Sequence, residues 1–201
     1  LTSFEGIKDG TLVIMDDADW VASTVPGTFL GTTSNDGSVA DNWGWNGNIP
    51  GATDNLIIED WFTNYLEVSG AQEVNNLTIK PGGKLSVPVS QSLTVNGDLL
   101  MEAETGIVPS LVEHGNLTVT GATTVQQYLT HSRWWYIAGQ TSNANSNNLL
   151  VDGSDYRMFE WAQENGASSG WEEVFANTSL NPLQGFGYYI LAGTDILANY
   201  T

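Results

Sequence analysis

The chain has no cysteine, which excludes a disulfide framework, thiolate metal sites and a thiol nucleophile. Export is not excluded by this, because bacterial proteins outside the cell often lack disulfides, whereas small secreted eukaryotic domains are usually stapled. Basic residues are almost as scarce. Five Lys and Arg stand against 23 Asp and Glu, a formal net charge of −18 over 201 residues. That field repels nucleic acid and anionic lipid, whose main attraction to proteins is neutralisation of their negative charge. No apolar run approaches the roughly 18 residues needed to span a bilayer, and no signal-peptide pattern is visible. Nucleic-acid binding and direct membrane insertion are therefore not expected. Helical periodicity is weak throughout, so no long helix is expected either. Strong acidity would suit a disordered chain, but 41% hydrophobic residues and eight Trp argue for a packed core. The charge reads first as solubility outside the cell, and more sharply as high-salt adaptation or divalent-cation binding.

What the sequence does have is a ladder. Apolar residues recur at a step of eight: Leu77, Leu85, Leu93, Met101, Pro109, Leu117 and Val125, two of them imperfect fits. Around the best of them stand the triplets Leu77-Thr78-Ile79, Leu85-Ser86-Val87, Leu93-Thr94-Val95 and Leu117-Thr118-Val119. Side chains of a strand alternate between faces, so each triplet offers one apolar face and one polar face. The fixed step predicts stacked units that bury apolar faces against their neighbours. Leu56 and Leu77 are 21 residues apart, and Leu93 and Leu117 are 24 apart. Those distances suit one full turn of a three-sided coil, with Pro81-Gly82-Gly83 and Asn96-Gly97-Asp98 as corners.

The expected fold is thus all-β, a short right-handed parallel β-helix (solenoid) followed by a small antiparallel β-sandwich-like domain. Three regions are expected. Residues 1–53 hold one strand-like run, Thr11 to Met15, and a Gly/Ser/Thr/Asn-rich stretch with a turn at Asn35-Asp36-Gly37. Residues 54–130 carry the ladder. Residues 131–201 turn to short aromatic strands such as Trp134 to Ile137, Tyr156 to Trp161 and Gly187 to Leu191, separated by Asn/Ser/Gly loops. The chain begins at Leu1 and stops at Thr201 within the strand-like Ile196 to Tyr200, and it reads as a piece of a larger polypeptide.

Several segments carry a family resemblance. Trp43-Gly44-Trp45-Asn46-Gly47-Asn48-Ile49-Pro50, followed by Asp54 to Ile58, resembles the N-terminal lead-in found in large secreted proteins of Bacteroidota. Asn76-Leu77-Thr78-Ile79 and Ser92 to Leu99 resemble their β-helix segment, and Thr124 to Leu129 with Arg133 to Ile137 resembles the junction after it. Phe159-Glu160-Trp161, Gly170-Trp171 and Leu180 to Tyr189 resemble strands of the β-domain that follows. The likeness covers about residues 43–201 in the family's order. It implies a multi-domain cell-surface or released protein, exported by the type IX secretion system and adhesin-like. Its partners would be the other domains of the same large polypeptide, and glycans or other surface proteins.

Candidate chemistry was weighed against plainer roles. A β-helix lyase needs acidic calcium ligands and a Lys or Arg base on one face; within the ladder only Lys80 and Lys84 are basic, and both flank one corner. The carboxylate pairs Glu59/Asp60, Glu102/Glu104 and Glu172/Glu173 are candidates for glycosidase chemistry, but neighbours on a strand point to opposite faces. His114 and His131 have no Ser or acidic partner at triad spacing. No catalytic residue is therefore assigned, and no enzyme is expected. Calcium is the one cofactor considered, on Asp16, Asp17, Asp19, Asp152 and Asp155, although neither run has EF-hand or nonapeptide-repeat spacing. Trp134, Trp135, Trp161, Trp171, Tyr188 and Tyr189 are candidates for stacking on sugar rings; the same aromatics would equally fill a sandwich core. The leading expectation is a non-enzymatic structural or adhesive segment, the β-helix a rigid spacer and the β-domain a cap or contact module. The alternatives are a carbohydrate-binding module of a polysaccharide-degrading protein and, behind it, a β-helix lyase or hydrolase.

Overall fold

Alternating apolar triplets separated by turn residues fold here as short strands. The computed structural model describes residues 4–8, 11–15, 28–29, 50–60, 66–149, 155–163, 169–182, 184–192 and 195–201. The fold is all-β, and among these residues there is no α-helix. The chain divides into two compact units, one of residues 1–102 and 107–122, the other of residues 103–106 and 123–201.

The first unit opens with an antiparallel hairpin of β1 (Phe4–Lys8) and β2 (Thr11–Met15). Its remaining strands are β3 (Thr28–Phe29), β4 (Leu56–Ile58), β5 (Leu66–Glu67), β6 (Ala71–Val74), β7 (Leu77–Ile79), β8 (Lys84–Val87), β9 (Ser92–Val95), β10 (Leu99–Met101), β11 (Ser110–Glu113) and β12 (Asn116–Val119). From β4 onward every third strand pairs in parallel. Leu56 lies opposite Leu77, and Leu77 opposite Leu99. Leu66 lies opposite Leu85, and Leu85 opposite Leu111. Gln72 lies opposite Leu93, and Leu93 opposite Leu117. β3 adds to the outer side of β4, again in parallel.

Three of the four triplets bury their first and third residues, and Leu117 and Val119 of the fourth are partly buried against the same core. Leu77, Ile79, Leu85, Val87, Leu93 and Val95 are all at most 1% exposed, and they form one core with Leu56, Ile58, Leu66, Val68, Val74 and Leu99. The step of eight holds from Leu77 through Leu93 and then slips. Met101 and Pro109 yield their expected places to Leu99 and Leu111, because the corners between strands differ in length. One corner repeats a side-chain cap. Asn76 Oδ1 accepts from the Asp98 N–H at 2.8 Å, and Asp98 Oδ1 accepts from the Ala122 N–H at 2.8 Å. Another corner needs glycine for close approach: a Cβ on Gly115 would collide with the carbonyls of Pro88 and Gln91.

The second unit is antiparallel. β13 (Thr123–Leu129) pairs with β18 (Ile196–Tyr200), from Val125 opposite Tyr200 to Leu129 opposite Ile196. A four-stranded sheet runs in the order β14 (Trp134–Ala138), β17 (Gly185–Ala192), β15 (Asp155–Gln163), β16 (Ser169–Glu173). The core gathers Leu129, Ile137, Met158, Phe186, Tyr188, Ile190, Ile196, Ala198 and Tyr200. A 3₁₀ turn, Ser146–Asn148, is capped by the Asn145 side chain. The buried Ser146 hydroxyl donates to the Phe175 carbonyl at 2.8 Å and accepts from the Thr178 N–H at 3.0 Å. The division between units falls between Ala122 and Thr123, with β13 in the same unit as its antiparallel partner β18.

Candidate functional site

The side chains of β14, β15, β16 and β17 alternate between the core and the opposite face of the sheet. On β14, Trp135 and Ile137 turn inward, and Trp134 and Tyr136 turn outward, 52% and 80% exposed. On β15 the outward residues are Arg157, Phe159 and Trp161; on β16 they are Trp171 and Glu173. Trp161 and Trp171 are each 52% exposed and meet edge-on, with centroids 5.6 Å apart. Trp134 leans on Tyr189 at 5.2 Å and on Phe159 at 5.9 Å. Contacts of this kind hold large rings in place at an otherwise wet surface.

The register explains the shape between them. Gly187 of β17 lies opposite Tyr136 on one side and Phe159 on the other. Lacking a side chain, it leaves a gap in the row, and a cleft of about 320 Å³ opens there, lined by Trp134, Tyr136, Phe159, Trp171 and Gly187. A Cβ on Gly187 would stand 3.5 Å from Cζ3 of both Trp134 and Trp171, so the floor is bracketed by two indoles. Next to Phe159 the same face carries an ion pair, Arg157 Nη1 to Glu173 Oε1 at 2.7 Å. Both of its side chains are more than a third exposed, which leaves further donors and acceptors open to solvent.

Two of the expected stacking residues belong elsewhere. Tyr188 is 1% exposed, and its hydroxyl donates to the Leu149 carbonyl at 2.9 Å, so it is a core residue unable to receive a ligand. Trp135 turns to the core side; its indole donates to the Thr130 carbonyl at 2.9 Å, and the Arg133 guanidinium covers its ring at 4.1 Å. Period-two alternation places each of them opposite its neighbour, Trp134 or Tyr189. Tyr136, Phe159 and Gly187 belong to the cleft and were not singled out by sequence. The signal available was Gly187 itself, a glycine inside a strand, which marks close approach of a ligand or another backbone.

The other candidates are placed as follows. Asp16, Asp17, Asp19 and Asp152 lie outside the described residues, and Asp155 is the first residue of β15, opposite Ala192. Among the described residues no three His, Asp or Glu side chains gather as a metal site would require. Lys80 is held by both oxygens of Glu102, at 3.0 and 2.8 Å, and exposed Glu104 is not part of that contact. Glu172 and Glu173 are consecutive on β16 and face opposite ways. Exposed His114 sits in a turn, its N–H donating to the Val87 carbonyl. His131 does find an acid, across the end of the β13–β18 ladder: its Nδ1 lies 2.6 Å from Asp195 Oδ1, and its N–H donates to the same oxygen at 2.9 Å. The Tyr128 hydroxyl donates to Asp195 Oδ2 at 3.1 Å. These contacts tie Asp195, just before β18, to Tyr128 and His131 at the end of β13, a clasp between the two strands.

The model of a family described as a domain of unknown function, DUF8693, matches residues 28–200, and the chain belongs to that family. The match takes in both the parallel strands from β3 onward and the antiparallel unit. No curated protein and no solved structure matches the chain.

Proposed function

We propose that this DUF8693 member is a non-enzymatic structural and adhesive segment of a large secreted bacterial cell-surface protein, exported by the type IX route of Bacteroidota. In this reading β4 to β12 wind as a short right-handed parallel β-helix that serves as a rigid spacer. The antiparallel, sandwich-like unit is the contact module. The reading is supported by every third strand returning to the same sheet at intervals of 19 to 26 residues, as a three-sided coil requires. Parallel crossovers of this kind are almost always right-handed.

The observation that carries the contact role is the outer face of the four-stranded sheet. Three Trp and one Tyr, each at least half exposed, share one surface with a charged rim. A contiguous apolar patch edged by polar groups marks an interaction surface, since isolated exposed apolar residues would need no explanation. On the parallel strands, by contrast, Lys80 is tied to Glu102 and so is poorly placed to act as the base of a lyase.

The test is turnover. Incubated with pectate, alginate and laminarin, the chain is expected to release neither unsaturated uronates nor new reducing ends. Turnover that vanishes in a folded Lys80→Ala variant would overturn the non-enzymatic assignment.

A further inference from the structure

The cleft over Gly187 limits what it can hold. Its floor is one backbone glycine between two indole edges that stand within about 7 Å of each other, since each is 3.5 Å from the same point. Two ring edges no further apart than that admit at most a single layer of carbon between them. Tyr136 and Phe159 close the other sides. At 320 Å³ the space is at the small end of ligand sites, the size of one or two compact rings and not of a folded segment. The walls are apolar, but the edge beside Phe159 is not: Arg157 offers N–H donors and Glu173 offers lone pairs, on a pair already fixed at 2.7 Å.

Two ligand chemistries suit exposed aromatic rings: a cation, drawn to the ring quadrupole, and a sugar, whose C–H face packs on the ring while its hydroxyls reach the rim. A cation would gain from the −18 net charge. It would also meet Arg157 on the same sheet face, and the Glu173 carboxylate opposite Phe159 is already engaged by that Arg. A neutral sugar has no such conflict. It needs exposed aromatic carbon, a neighbouring donor and a neighbouring acceptor, and all three are present.

We infer that the cleft formed by Trp134, Tyr136, Phe159 and Trp171 over Gly187 binds a pyranose ring with equatorial hydroxyls, its C–H face on the indoles and its hydroxyls toward Arg157 and Glu173. The ligand class is therefore a β-linked oligosaccharide of glucose, xylose or N-acetylglucosamine, whose rings present extended C–H faces. This assignment rests on the antiparallel unit being the contact module, and it gives that module its ligand.

The experiment is titration of the 201-residue chain with the tetrasaccharides of these three series and with tetramethylammonium, followed by tryptophan fluorescence and calorimetry. At least one tetrasaccharide is expected to bind. Trp171→Ala should weaken it tenfold or more, and Gly187→Val should do the same by filling the floor while keeping every ring. Phe175→Ala, an exposed aromatic outside the cleft, should leave binding unchanged. Far-UV circular dichroism checks that each variant is folded, and Gly187→Ala provides a milder floor substitution should Gly187→Val fail to fold. No binding of any tetrasaccharide at millimolar concentration overturns the assignment, and so does binding of tetramethylammonium alone. Sugar binding that survives both Trp171→Ala and Gly187→Ala overturns it as well. The non-enzymatic reading fails separately: turnover together with binding removes that reading and leaves the cleft assignment standing, whereas neither turnover nor binding does the reverse.

Discussion

Asp195 shows how a single side chain can make the antiparallel unit sensitive to acid. Its carboxyl is held below the ordinary value of 3.8, first by the backbone N–H of His131, then by the His131 ring and the Tyr128 hydroxyl, while burial opposes them. A carboxylate whose folded value lies below its unfolded one contributes stability that is complete above the unfolded value. That contribution is lost as pH falls through the folded value. Asp195→Asn should therefore melt lower than the native chain at pH 7, and the gap should close as the pH is taken from 5 to 2. Thermal melts across that range are the check; a gap independent of pH would show that the charge of Asp195 contributes nothing. The Tyr200 hydroxyl, at the other end of β18, is pushed upward by burial and by Tyr188, so it stays protonated over this range and cannot mimic the effect.

Position within a stack, and not residue type alone, should decide what a core leucine contributes at the scale of the strand. Leu93 has a strand on each side of it, β6 and β12, and is 1% exposed; Leu117 stands on β12, the last strand in that sheet's order, and is only partly buried. Leu93→Ala should cost about 2–5 kcal/mol, the usual range for a buried leucine. Leu117→Ala should cost clearly less, since part of its side chain is already in water. Urea unfolding of the two variants decides it, and equal losses would show that Leu117 is as deeply packed as Leu93. From sequence the two triplets are indistinguishable, because alternation identifies an inward face but not which strand is the last of its sheet. The same limit explains the rest. Leu77, Leu85 and Leu93 were legible at a step of eight, but the slip to Leu99 and Leu111 depends on corner lengths that no local period encodes. β13 keeps its place in the sheet order after β10, but its antiparallel partner β18, about 70 residues later, could not be read from any local period. On the aromatic strands both faces carry rings, Trp134 beside Trp135 and Tyr188 beside Tyr189, so alternation could not say which face is wet.

For the whole molecule, charge sets opposite expectations for the fold and for the cleft. Eighteen unbalanced negative charges repel one another and oppose the compact state. Against them stand, among the described residues, three partly exposed pairs, Lys80–Glu102, His131–Asp195 and Arg157–Glu173, and pairs at such exposed sites contribute little. Repulsion should dominate, so salt should stabilise. Shortening the screening length from about 30 Å at 0.01 M to a few ångström near 1 M is expected to raise the melting temperature by several degrees, as measured by calorimetry in sodium chloride. A flat or falling melting temperature would mean that the pairs outweigh the excess charge. Sugar binding should not follow the same curve. A neutral ring held by C–H contacts on Trp134 and Trp171 carries no charge for salt to screen, so its affinity should stay nearly constant across the series. A cation attracted by the net charge would lose affinity steadily. The same salt titration thus reads the fold through its repulsion and the cleft through its indifference to it.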